Sequence, residues 1–333
     1  MLPNIFCADT VRAYRFLLTF SLWTGVILAA GGNAAAQNSR NAFSESALRS
    51  KVEFLSDSLC AGRRSGTPGG SEAAFWLSRQ FSHLNLTPLG HFAHSFALPQ
   101  NAGHNIIGSI PGRKGGKYVI IMAHYDNLGT LEGTLYPGAD SNASGVAALL
   151  SLAQAFSHSY KASGQCAPTL IFAALDGRQA NMAGAYALCR ELLESKLKDP
   201  RTGFIINKED ILQVVNLDIV GSTLAPLDAK RPDYLIMLGG EQYQKDLLSF
   251  INRSQGIGLD LGFDYYGSRD FTEMFYRRIC DQRPFLEKGI PSVLFTSGIT
   301  LRTNRTDDVA SSLDYSVLRR RVELIYHWIS MLR

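Results

Sequence analysis

The 333-residue chain has no Cys-x-x-Cys pair, no basic cluster of the kind that suggests nucleic acid, no internal repeat and no low-complexity tract. The first absence leaves no thiolate spacing that would argue for a structural metal, and the second gives no footing for nucleic acid as a partner. Beyond residue 36 no apolar run approaches the roughly 20 residues a membrane span needs, and no cysteine stands where a lipoprotein would carry its lipid. Neither a stable membrane anchor nor a strong charge remains to suggest a partner, since the formal net charge is only +4. What is present is ordinary apolar content over a length that suits one large globular domain.

The first residues follow a different pattern. Arg12 and Arg15 precede an apolar run from Phe16 to Ala30, and small residues ending in Ala34-Ala35-Ala36 lead to Gln37. These are the three regions of a secretory signal in their usual order. Residues 1–36 are therefore expected to be a signal peptide, and 37–333 a single soluble exported domain, periplasmic or secreted. Of the five cysteines Cys7 lies in the signal, leaving Cys60, Cys166, Cys189 and Cys280. Four cysteines allow three pairings in an oxidising compartment, but without a metal-like spacing they are read as buried free thiols.

Periodicity predicts helices at Ser46–Leu59, Glu72–Leu84 with Ser71 as cap, Val146–Phe156, Ala180–Leu197, Gln242–Asn252, Arg269–Tyr276 and Ser316–Leu332. Short β-branched runs predict strands at Thr169–Leu175, Gln213–Ile219, Asp233–Leu238 and Pro291–Thr296, and Asn105–Gly112 reads as a strand and turn with Tyr118–Ala123 as its hairpin partner. Strands alternating with helices imply a largely parallel sheet covered on both faces. The last helix carries Leu318, Val322, Ile325, Ile329 and Leu332 on one face beside Arg319, Arg320 and Arg321. It reads as a docking helix rather than a membrane-surface one.

The informative stretch is Tyr118 to Leu150. An apolar strand ends in His124-Tyr-Asp126, a glycine-rich turn Gly138-Ala-Asp-Ser141-Asn-Ala-Ser-Gly145 follows, and the next helix begins. In open α/β sheets the ligand crevice lies beyond the carboxyl ends of the strands, so His124 is placed to reach it. Asp126 is expected to accept the other ring N–H of His124, as carboxylates behind metal-binding histidines do.

His124-x-Asp126 followed by Pro137-Gly-Ala-Asp-Ser-Asn-Ala-Ser-Gly145 resembles the zinc exopeptidase family of secreted leucine aminopeptidases, glutamate carboxypeptidase II and the glutaminyl cyclases, metallopeptidase family 28. The resemblance runs from Leu59 to Tyr315 and implies a three-layer α/β/α domain with a mixed, mostly parallel central sheet. It also implies two zinc ions, held by five side chains, with a glutamate as general base. The family's opening, a helix ending in a Gly-Arg turn with Gly-Thr-x-Gly, matches Gly62-Arg63 and Gly66-Thr-Pro-Gly69, which are read as packing and not chemistry.

Carried over one position at a time, the resemblance keeps two metal ligands, His124 and Asp218. The bridging aspartate is Ser141, whose neutral hydroxyl bridges dications poorly. Where the family has Asp-Gly-Glu-Glu this chain has Asp176-Gly177-Arg178-Gln179. Arg178 thus stands at the general-base position, where it cannot accept a proton, and Gln179 at a carboxylate-ligand position. The last histidine ligand is Asn304, with Asp308 and Leu313-Asp-Tyr315 in register after it, and the histidine of Ser-Asp-His-x-x-Phe is Gln282.

Four carboxylates would offset two dications; here Asp218 alone remains, balanced by Arg178, and like charge in a low-dielectric cleft repels Zn²⁺. Asp140 and Asp176 are neighbouring carboxylates that can rescue a ligand only by turning in from an adjacent position. The expectation is a non-catalytic pseudo-peptidase, carrying no zinc or one weakly bound ion, whose cleft binds a peptide or protein partner. Arg178 is expected to pair with Asp218 or Asp176, the other use of its guanidinium being a ligand carboxylate such as a peptide C-terminus. The rival reading is an active metallo-exopeptidase using a reduced, one-metal site on His124 and Asp218.

Overall fold

The structure, a computed structural model, describes residues 42–99, 101–112, 116–163, 168–194, 197–223 and 231–332. The expected signal peptide and Cys166 lie outside the described residues. Eight strands form the central sheet: β1 (Ala93–Ala97), β2 (Ala102–Ile110), β3 (Tyr118–His124), β6 (Thr169–Leu175), β7 (Ile211–Leu217), β8 (Tyr234–Gly239), β9 (Asp260–Gly262) and β10 (Ser292–Thr296). A separate small hairpin pairs β4 (Gly129–Leu131) with β5 (Thr134–Tyr136). The spatial order is β1-β2-β6-β3-β7-β10-β8-β9.

The pairs β6–β3, β3–β7, β7–β10 and β8–β9 are parallel, while β1–β2, β2–β6 and β10–β8 are antiparallel. The sheet is therefore mixed and mostly parallel, as expected. Every residue of β3 is buried. Alternation along that strand sends Val119, Ile121 and Ala123 into one core cluster and Ile120 and Met122 into another, so both faces are covered.

The first cluster holds α1 (Glu45–Ser56), α2 (Pro68–His83), α3 (Ser144–Ser163), α5 (Gln242–Ser254) and α8 (Tyr315–Ser330). The second holds α4 (Ala183–Leu193) and Phe285 of the short α7 (Arg283–Glu287). A third, smaller cluster sets β8 under Tyr265 and Cys280, beside α6 (Arg269–Arg277). The three-layer arrangement follows directly from these burials.

Three sequence expectations need correction. Tyr118–His124 is not the hairpin partner of β2: the two strands run in opposite directions, but β6 lies between them, bonded to both. A strand buried on both faces reads as apolar whichever neighbour it has, so pairing is not visible in its composition. Ser71 does not cap α2; Thr67 does, accepting Gly70 N–H at 3.3 Å, with Pro68 at the first helical position where its missing N–H is harmless. The first expected helix ends at Ser56, and Ser58–Arg63 forms a 3₁₀ turn.

Two buried arginines brace the fold. Arg63 donates to the carbonyls of Leu55, Tyr125 (2.7 Å), Pro137 (2.8 Å) and Gly138 (2.8 Å), which ties the first helix to the segments on either side of the β4–β5 hairpin. Arg321, in α8, donates to Val220 O (2.8 Å), Ser222 O (2.5 Å) and Tyr234 O (2.8 Å). Arg320 meets Asp233 at 3.1 Å and Arg319 meets Glu323 at 3.0 Å. The basic run Arg319–Arg321 is thus engaged by the chain's own groups, Arg321 in the interior and the other two at the surface. Among the described residues no helix is long and apolar enough to cross a membrane. Cys60, Cys189 and Cys280 are buried free thiols, as read from the sequence.

Candidate functional site

The site lies at the carboxyl ends of β6, β3 and β7, where parallel strands open a crevice. His124 ends β3, Asp176-Gly-Arg178 follows β6, and Asp218 follows β7. His124 is 2 % exposed and Asp218 7 %. His124 Nε2 lies 3.3 Å from Asp218 Oδ1, and Nδ1 lies 3.1 Å from the backbone oxygen of Asp126. Burial by itself would lower the imidazole pKa, but the bond to Asp218 and the charges of Asp218, Asp281 and Asp126 raise it above its ordinary value. Asp218 is correspondingly held down to about 2: burial opposes ionisation, and His124 and Arg178 override it.

The carboxylate of Asp126 does not hold the His124 ring as expected; its nearer oxygen is 3.8 Å from Nδ1. Its two oxygens are already committed to the loop after β6, accepting Arg178 N–H at 2.9 Å and Gln179 N–H at 3.1 Å. Asp126 therefore positions Arg178 through its backbone, while its own carbonyl orients the histidine. Burial, with the charge of Asp176 nearby, pushes the Asp126 carboxyl up to about 6.

Arg178 turns into the crevice. Its Nε is 3.5 Å from Asp281 Oδ2 and its terminal nitrogen 4.0 Å from Asp218 Oδ2. Burial would weaken the charged form, but Asp281, Cys280 and Asp218 keep the guanidinium firmly protonated. The expected pairing with Asp218 exists at the limit of contact, whereas pairing with Asp176 does not. Asp176 instead accepts Ser65 Oγ (2.6 Å), His104 N–H (3.0 Å) and Gly177 N–H (2.8 Å), which faces it away from the guanidinium.

The principal partner, Asp281, is not singled out by the sequence. Its only signal there is the aspartate kept inside Cys280-Asp-Gln282, at the place of the family's Ser-Asp-His. It is 1 % exposed, and neither carboxylate oxygen has a hydrogen-bond partner among the described residues. Burial raises its pKa, with Arg178 and His124 opposing.

The remaining positions serve structure. Ser141 is buried, and its N–H donates to Asp308 Oδ2 at 3.1 Å while Asp140 N–H donates to Oδ1 at 2.7 Å. Asp140 does not join the cluster of potential ligand atoms that His124, Asp218 and Asp281 form, and its Oδ1 accepts Gly221 N–H (2.8 Å) and Ser144 Oγ (3.0 Å). Asn142 bonds Leu217 O (2.9 Å), Ile219 N–H (2.9 Å) and Gly145 N–H (3.1 Å), joining the end of β7 to the start of α3. Gln282 is fully buried, accepting from Asn216 (2.8 Å) and donating to Tyr276 O (2.7 Å). Gln179 and Asn304 are both exposed, the latter on a loop at φ 60°.

Two zinc ions do not fit these residues. Of the positions that would hold them, only His124 and Asp218 offer a ligand of the right kind, and a guanidinium sits on the carboxylate. A single ion has a better claim. One ligand atom each from His124, Asp218 and Asp281 lie within 4.8 Å of one another, a nitrogen and carboxylate set that suits zinc. Arg178 competes for the two carboxylates of that cluster.

A family model described as Peptidase family M28 matches residues 105–329. A probable zinc metalloprotease of Pyrenophora tritici-repentis (strain Pt-1C-BFP) is 24% identical over 328 residues, covering 84% of this chain and 71% of that protein. Among solved structures, the Fimbriiglobus ruber glutaminyl cyclase superposes with a TM-score of 0.67 at 16% identity, covering 87% of this chain and 96% of its own. LapB from Legionella pneumophila gives 0.66 at 17%, covering 88% and 73%. The Bacillus subtilis zinc aminopeptidase BSAP gives 0.64 at 13%, covering 86% and 94%. At these identities the structural likeness is one of fold.

Proposed function

The chain belongs to peptidase family M28, and from that premise we propose that it is an exported, non-catalytic member whose former active-site cleft binds a peptide or protein partner. One observation carries this reading: at the place of the family's general base stands Arg178, with its guanidinium against Asp281 and Asp218. An arginine side chain donates hydrogen bonds and does not take up a proton at working pH. Loss of a general base typically lowers the rate by about 10² to 10⁴. Here the same group also supplies the positive charge that a metal would have brought.

A second reading is favoured by the two oxygens of Asp281, which have no hydrogen-bond partner among the described residues. Together with His124 and Asp218 they offer a place for one divalent ion, which would act as a Lewis acid if Arg178 swung aside. No base stands beside it, since Asp126 and Asp176 are held by backbone N–H groups.

Metal content and turnover separate the two. Purified mature protein is expected to carry far less than one zinc per chain and to leave aminoacyl and pyroglutamyl-forming substrates untouched. Stoichiometric zinc with chelator-sensitive hydrolysis would overturn the non-catalytic reading. Replacing Ser141→Asp, Arg178→Glu, Gln179→Glu and Asn304→His together rebuilds the family's set, and zinc uptake by that variant is the positive control.

A further inference from the structure

A cleft of about 800 Å³ opens next to the site, with Gln179, the neighbour of Arg178, in its wall. That volume is within the range of small-ligand sites, roughly 300–1,000 Å³. Pro68, Leu98 and Pro99 give it apolar walls, and Arg64, Asn101 and Gln179 give it polar ones. None of its described lining residues is acidic. The start of α2 also borders it, so the helix adds its positive end to the same space.

Arg64 is the group that decides what the cleft takes. Its stem lies against Gly129, where an added Cβ would come within 2.6 Å of the arginine Cβ. The glycine thus makes room for the side chain to lie in the cleft wall. Unlike Arg63 before it and Arg178 beyond the cleft, Arg64 has no ion pair and no side-chain hydrogen bond among the described residues. The side-chain amides of Asn101 and Gln179 are equally free of partners among them. Ser65 is not available, because its hydroxyl is turned inward to Asp176.

We propose that this cleft captures a short peptide through a free carboxylate, with Arg64 as the anchor. Guanidinium and carboxylate match as a bidentate pair, and the apolar walls accept the side chains that precede it. Arg178 is excluded from this part by its own two carboxylate partners. The inference rests on the peptide-binding reading above and adds the ligand's chemical class to it.

The test uses N-acetyl-Ala-Leu-Leu as the free acid, the same peptide as its C-terminal amide, and N-acetyl-Ala-Leu-Glu as its amide, followed by titration calorimetry. The free acid is expected to bind at least about tenfold more tightly than the Leu amide, consistent with one charge-assisted pair. Arg64→Gln should abolish that preference while leaving the melting temperature unchanged, because the side chain has no structural partner to lose. Binding of the Ala-Leu-Glu amide at the level of the free acid supports the anchor with a side-chain carboxylate as source; weak binding of it supports a chain terminus. Equal binding of acid and amide, or a preference that survives Arg64→Gln, overturns the proposal and leaves peptide binding standing. Absence of binding by all three peptides overturns both.

Discussion

Behind the strand ends, polar groups are held by the chain's own amides; in front of them, they face one another across a gap. The rear set consists of Arg63 on four carbonyls, Asn142 between β7 and α3, and Asp308 beneath the Asp140 and Ser141 amides. In the front set, Arg178 and Asp281 meet at 3.5 Å, and neither Arg178 Nε nor either oxygen of Asp281 completes a hydrogen bond among the described residues. The rear groups are required by the fold, since each leaves a buried backbone donor or acceptor unsatisfied when removed, costing about 1–3 kcal/mol. The front groups satisfy one another's charge and leave hydrogen-bonding capacity open to whatever occupies the crevice.

The largest effect expected from breaking that contrast is at the rear. Arg63→Ala strands four carbonyls and should lower stability by about 3–5 kcal/mol, enough to leave much of the protein unfolded at 37 °C. Urea unfolding followed by circular dichroism measures it. A front-side change is smaller and of a different kind. Arg178→Ala leaves Asp281 without its nearest counter-charge and Asp218 with His124 alone, and with the arginine side chain 22% exposed the loss should be about 1–3 kcal/mol. Added zinc should then raise the melting temperature of that variant and not of the wild type. A variant that melts like the wild type, with or without zinc, would place Arg178 outside the cluster.

A third effect is a pH dependence. Burial and the charge of Asp140 push the Asp308 carboxyl up to about 7, while its ordinary value is 3.8. The folded state thus keeps a proton that the unfolded chain releases, so this contribution is full below about pH 4 and is lost as pH rises through 7. Asp308→Asn, which keeps one oxygen for the backbone amides, should make the fall in melting temperature between pH 4 and 7 shallower. It should not flatten it, because Asp126, pushed up to about 6, acts with the same sign. An unchanged slope would sink the assignment.

Much of this division is legible in the sequence. A sheet covered on both faces, β6 to the residue and His124 at a strand end follow from apolar runs and the motif that interrupts them, while the three-layer class and the site positions of Arg178 and Asp218 come with the family resemblance. Pairing is not legible, because β2 and β3 look alike whether or not β6 lies between them. Arg63 reads as a loop residue, since its role depends on carbonyls up to 75 residues away. Asp281 escapes notice for the same reason: nothing local marks a carboxylate whose partner arrives from another strand's end. The expected role of the Asp126 carboxylate does not hold, because the amides after β6 claim both of its oxygens and leave the carbonyl to the histidine.

Arg321 gives the order of synthesis a structural meaning. Its guanidinium holds the carbonyls of Val220 and Ser222, immediately after Asp218, from a helix made after every strand of the sheet. Until that helix emerges, the loop beyond β7 lacks its clasp, and the core lacks Leu318, Val322, Ile325 and Trp328. A chain ending before α8 would have every strand of its sheet and lack that part of the cover.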